Sequence, residues 1–197
     1  MPRIWDATVS GHRDAVRNAI LDGTAKEIHR VGVASLSMSD VAQAAGISRA
    51  TLYKYFPDLD AVLEAWHHRM VHSHLAALET VSREHDDAAE RLHAVLREYA
   101  ILRANRPDGQ IAISLHDAPH MGGASVELRA VFTSVLNDAA DAGGVTRQIP
   151  IAEAAIYCEY ALSAAVELPS RDAIDRLVEL VIASLAPPGS APSEPKR

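Results

Sequence analysis

The chain of 197 residues holds one cysteine, Cys158. No disulfide can close within it and no cysteine-built zinc site can form, which fits a reducing compartment. No apolar run approaches the ~20 residues that a membrane-spanning helix needs, and the opening MPRIWDATVS lacks the apolar core of a secretory signal. The expectation is a cytoplasmic protein with no membrane partner. Alternating β-branched segments are also missing; 35 alanines and long 3.6-residue periodicities stand in their place and predict an all-α chain. The signatures HExxH and GxSxG and a Gly-rich phosphate loop are absent, so the chain is read as no enzyme, with no cofactor and no metal. Basic charge is scarce too, with a net value of -7. It is unevenly spread: residues 1–60 hold seven Lys/Arg against seven Asp/Glu, and the rest holds twelve against nineteen. A neutral module with local basic side chains can still bind a duplex, and an acidic body should face away from it.

What the chain does contain is a stretch with specific spacing, SMSDVAQAAGISRATLYKYF, from Ser37 to Phe56. Ser37 stands as an N-cap, Val41, Ala42, Ala44 and Ala45 give an apolar stripe, and Gly46 falls where a helix end needs a left-handed backbone. Ile47 fills the corner and Ser48 caps a second helix. Leu52 and Phe56 recur at four residues on its buried side, and Pro57 stops it. On a helical wheel Ala50, Tyr53 and Lys54 point away from that side, with Arg49 and Thr51 at its borders. Such a face suits a major groove: a small residue permits close approach, arginine reads a guanine edge, and hydroxyls and lysine donate to phosphates.

Through Val41-Ala42, Ala45-Gly46-Ile47-Ser48 and Thr51-Leu52-Tyr53-Lys54-Tyr55-Phe56 the sequence resembles the TetR family of transcriptional regulators, over about His12 to Trp66. The remaining two thirds matches in layout alone. The resemblance implies DNA contacts at Ser37, Ser39, Ser48, Arg49, Ala50, Thr51, Tyr53, Lys54 and Tyr55. It also implies a homodimer that reads a palindromic double-stranded operator and a small-molecule effector that releases a repressor from it. One departure stands out: members often carry a phosphate-gripping lysine two residues into the next helix, where this chain has Leu59.

Periodicity supplies the rest of the layout. A loose arm is expected over residues 1–11, a three-helix helix-turn-helix domain over 12–57, a helical effector-binding and dimerisation domain over 58–186, and a disordered Pro/Ser-rich tail over 187–197, with about nine helices in all. A long helix from Asp58 to Ser82 is predicted as a transmission rod. Its stripe carries Trp66, His67, Met70 and His74, while His68 and His72 point the other way and, without a nearby acid or thiol, make a weak metal pair. Tyr99 lies on the inner side of the next helix, and His116, Asp117 and His120 sit in a mixed loop after a short helical piece, Gln110 to Leu115. Trp66, His67, Met70, His74, Tyr99, His116 and His120 are the candidate effector pocket. Near 150–168 a helix with small apolar residues (Ala154, Ala155, Cys158, Ala161, Ala165) precedes an aliphatic one over 171–186, together half a four-helix bundle that a second copy would complete. The competing expectation is a helical small-molecule or partner-binding protein whose helix-turn-helix has lost its DNA role, consistent with Leu59 and the acidic balance.

Overall fold

The computed structural model describes residues 4–105 and 122–189, with side chains from Gly11 to Asn105 and from Val126 to Gly189. Eight α-helices and two short 3-10 turns make up the described residues, and no strand occurs among them. The helices are α1 (Ile4–Val31), α2 (Met38–Ala44), α3 (Arg49–Leu52), α4 (Leu59–Arg83), α5 (Ala88–Ala104), α6 (Gly122–Asp141), α7 (Ile151–Ser163) and α8 (Arg171–Ser184). The expected piece at Gln110–Leu115, the loop with His116, Asp117 and His120, the side chains of residues 1–10 and tail residues 190–197 lie outside the described residues. The chain forms two compact units, Met1–Met70 and Val71–Arg197.

In the first unit α1 begins at Ile4, so most of the expected loose arm is helix. Residues 4–11 hold no proline, and an exposed glycine such as Gly11 weakens a helix by about 1 kcal/mol without ending it. Ile20, Leu21 and Ile28 of α1 meet Val41 and Ala42 of α2, then Leu52, Phe56, Val62 and Leu63, in one buried cluster. Gly23 is where α1 crosses the end of α2. A Cβ there would stand 2.8 Å from the Ala45 amide nitrogen and 3.1 Å from the Ala44 carbonyl carbon. The two backbones therefore touch without an intervening side chain. Because Val62 and Leu63 pack into this cluster, the unit reaches into α4 as far as Met70, beyond the Pro57 boundary expected from the sequence.

In the second unit α5 packs against α6, α7 and α8. Leu92, Val95, Leu96 and Tyr99 meet Phe132, Val135 and Leu136 of α6 and Val178 and Val181 of α8, as the 3.6-residue stripes predicted. The Tyr99 and Phe132 rings meet edge to face, 5.1 Å apart at 88°. Arg91 closes the turn between α4 and α5: its Nε donates to the His85 carbonyl, Nη2 to the Asp86 carbonyl and Nη1 to Asp138 of α6, each at 2.9 Å. On the opposite flank Arg97 forks onto Asp175 of α8 at 2.7 and 3.4 Å and holds that carboxyl below its ordinary range.

The small-residue side of α7 corrects the expected dimer face. Ala154, Ala155, Cys158 and Leu162, with Ala165 in the turn after α7, are buried inside the protomer. They let α7 come close to its own neighbours, and the outer side carries larger groups instead: Ile156, Tyr157 and Tyr160, with Leu180 on α8.

Candidate nucleic-acid interface

The two short helices are set by their ends. At the start of α2, Ser37 and Asp40 form a reciprocal capping box: the Asp40 amide donates to Ser37 Oγ at 3.3 Å, and the Ser37 amide donates to Asp40 Oδ2 at 3.1 Å. The Ser37 hydroxyl also donates to Oδ2 at 2.5 Å and, as the main cause, holds the Asp40 carboxyl below its ordinary value. At the other end Gly46 takes φ 68°. Its amide bonds to the Gln43 carbonyl and the Ile47 amide to Ala42, the paired closure of a Schellman motif. Ser48 then opens α3 with its hydroxyl accepting from the Thr51 amide at 3.1 Å and paired with Thr51 Oγ1 at 2.9 Å.

Regular α-helix ends sooner than the sequence suggested. α3 covers Arg49–Leu52 with Tyr53 as its C-cap, and the amides of Lys54 and Tyr55 make three-residue bonds to Thr51 and Leu52. Pro57 explains this, because a proline ring clashes with the carbonyl four residues back, here that of Tyr53. The tightened turn still seats Phe56 in the core, where Arg17 of α1 lies 5.0 Å over its ring.

Of the predicted contact residues, Ser37, Ser39, Ser48, Arg49, Ala50, Tyr53 and Lys54 are exposed; Thr51 and Tyr55 are half-buried, and Tyr55 packs against the core. Tyr53, 48% exposed, is a large group of the first unit that the core does not use. Leu52 between them is fully buried. The short element thus turns one residue inward and the polar ones outward. Leu59 packs on the same core, which gives the departure from the lysine pattern a structural use. Arg30 is paired with Glu27 at 2.6 Å, and Arg17 lies over the Phe56 ring.

Residues 20–66 match the model of bacterial regulatory proteins of the tetR family. This match covers the helix-turn-helix segment, 47 of the chain's 197 residues. Over 102 residues it is 32% identical to the HTH-type transcriptional regulator BetI of Burkholderia thailandensis, a match over 52% of this chain and 50% of that one. The chain thus matches about half the length of these curated relatives. Two solved structures share its fold. A tetR-family bacterial regulatory protein from Rhodococcus RHA1 is 20% identical with a TM-score of 0.71, over 87% of this chain and 97% of that one. The transcriptional regulator FadR from Bacillus subtilis, solved with stearoyl-CoA, is 15% identical with a TM-score of 0.69, over 84% and 95%.

The candidate effector residues are shared between the two units and the residues outside the description. Trp66, His67 and Met70 belong to the first unit, with Trp66 packed against its core and His67 buried. His74 and Tyr99 belong to the second, Tyr99 inside its core. His116 and His120 lie outside the described residues. His67, His74 and Tyr99 all engage other groups of the protein. Three neighbouring His, Cys, Asp or Glu side chains able to hold a metal are not found among the described residues.

Two features escaped the sequence. Gly23 had no periodic signal, because a close crossing is a property of the pair of helices. The link from Arg69 of α4 to Asp22 of α1, at 2.8 Å, joins positions far apart in the chain.

Proposed function

We propose that this chain is a tetR-family regulator, a sequence-specific DNA-binding transcriptional regulator with no enzymatic step of its own, acting in the cytoplasm. The observation that carries the reading is the outward side of α3 and its following turn: Arg49, Ala50, Tyr53 and Lys54 exposed around a buried Leu52. Ser48, Arg49, Thr51, Tyr53, Lys54 and Tyr55, with Ser37 and Ser39 at the start of α2, supply phosphate donors and one guanidinium able to read guanine. A dimer would bring two such elements to a palindromic site through the outer faces of α7 and α8.

The helical second unit is the proposed effector body, and repression relieved by a small molecule is the proposed sign. Support comes from the shared fold with a FadR regulator solved with stearoyl-CoA. His74, half-buried on α4, and Tyr99 on α5 are the effector candidates that lie within this unit. Leu59 favours a second reading, a helical binding protein without a DNA role, because one backbone anchor is spent on the core.

Fluorescence anisotropy on DNA upstream of the protein's own gene, with scrambled competitor across a salt series, separates the readings. Saturable, sequence-selective binding with a steep salt slope is expected. Weak binding, equal on scrambled DNA and on a selected random duplex library, would sink the regulator reading.

A further inference from the structure

Arg103 stands in the last turn of α5, within the second unit. At about 100° per residue it falls within about 40° of Leu92, Leu96 and Tyr99 on the helical wheel, and those three are buried in that unit's core. A guanidinium thus continues an apolar stripe. Its Nε is buried and has no hydrogen-bond partner among the described residues.

The other half-buried arginines described in this unit are matched. Arg91, Arg97 and Arg129 each meet a carboxylate, of Asp138, Asp175 and Glu159, at 2.9, 2.7 and 2.6 Å. An arginine that only lays its stem along a core keeps its head in water; a covered Nε means that the head itself has entered the protein. The C-terminal end of the α5 dipole favours a cation there but offers Nε no acceptor. A charged donor held without an acceptor is destabilising, and an incoming acceptor relieves that cost. Oxyanions suit the position best, because the guanidinium fork presents its donors in one plane to two oxygens of a carboxylate or phosphate.

We propose that Arg103 is the anion-binding group of the second unit, and that the effector of this protein is a small organic anion carrying a carboxylate or a phosphate. The inference rests on the proposed effector reading and names the ligand class for it. Tyr99, an effector candidate of the same unit, lies one turn earlier on the same stripe. The argument uses no residue of the first unit.

The test uses the full chain and reads Arg103 itself. In isotope-labelled protein the Nε–H resonance of Arg103 is assigned by its loss in both Arg103→Lys and Arg103→Met. Acetate is the probe for a carboxylate and inorganic phosphate the probe for a phosphate; acetamide is the neutral isostere of acetate, and chloride keeps the ionic strength constant. Acetate or phosphate should shift the resonance saturably, with half-saturation in the millimolar range that suits ligands of so few atoms. Acetamide and chloride should leave it in place. The anion with the lower half-saturation assigns the head group. Acetate should also raise the thermal midpoint of the wild type saturably. Arg103→Met should keep at least the wild-type midpoint in chloride, because the unmatched donor is gone, and should lose the rise in acetate. A resonance that neither anion moves overturns the inference. So does an equal rise in Arg103→Met, which would make it a general salt effect. If the anions move the resonance but the chain selects no duplex from a random library, the regulator reading falls and the effector role falls with it. If duplexes are selected and the resonance stays in place, the inference falls alone.

Discussion

Single positions decide more here than their chemistry suggests. Gly23 carries no functional group, yet a methyl on it meets the Ala45 backbone, which has no flexible end to move aside. Gly23→Ala gains helix propensity of about 1 kcal/mol and must part α1 from α2 to do so. Overpacking of this kind costs about 1–3 kcal/mol, so a net loss of thermal stability in the N-terminal unit is expected, together with weaker DNA binding. A midpoint at or above wild type in thermal denaturation would show that the crossing is looser than described. Cys158 is the reverse case, a reactive group made inert. Burial pushes its thiol up to about 12, from an ordinary value near 8.5. A raised thiol pKa means the folded form holds its proton longer. The associated stability is complete below about pH 8.5 and declines as pH rises toward 12. At pH 8 a thiol-reactive dye should leave the native protein unlabelled and label it stoichiometrically in denaturant; rapid labelling without denaturant would contradict the burial.

At the level of elements, α2 and α3 are short enough that caps rather than length hold them. Ser48→Ala removes the hydroxyl that accepts from the Thr51 amide and should cost about 0.5–2 kcal/mol, visible in chemical denaturation. Full stability in that variant would mean that Leu52 and Phe56 alone set the helix. The outward residues should separate by role. Tyr53→Ala is expected to weaken binding to all duplexes, and Arg49→Ala to relax preference at one base pair by about 1–3 kcal/mol. Equal affinity of either variant and wild type for the selected operator would remove that residue from the interface. These ends were legible in the sequence because a cap is a local code: Ser37, Gly46 and Ser48 announce themselves within four residues. The buried stripes of α5 to α8 were legible for the same reason. Contacts set by a second helix were not. Periodicity marks an apolar stripe without saying what covers it, so the alanines of α7 read as a dimer seam when they are the protomer's own core. Pro57 was read as a stop, but its clash with the carbonyl of Tyr53 shortens the reading helix to a single regular turn. One face of α4 contributes to two separate cores, and a wheel cannot say where one ends and the other begins.

For the whole molecule, the open question is what covers the outer faces of α7 and α8. Tyr160 and Leu180 are 67% and 65% exposed, with Ile156 and Tyr157 beside Tyr160. Large apolar groups clustered on two helices mark an interaction surface more often than scattered ones do. Under the proposed DNA-binding function a second copy has a use: one half-site offers few base contacts, and joining two raises the effective concentration of the second into the millimolar range. Tyr160→Glu with Leu180→Glu places two charges where a like face would meet its twin. Light scattering should then report a monomer, and operator affinity should fall by about a hundredfold or more as the second half-site ceases to be held. The protomer's thermal midpoint should change little beyond the loss of the dimer, because both positions lie outside its core. A dimer of unchanged mass would place the interface elsewhere. A monomer that still binds the operator at wild-type affinity would show that one reading element suffices, and would remove the reason for the pairing.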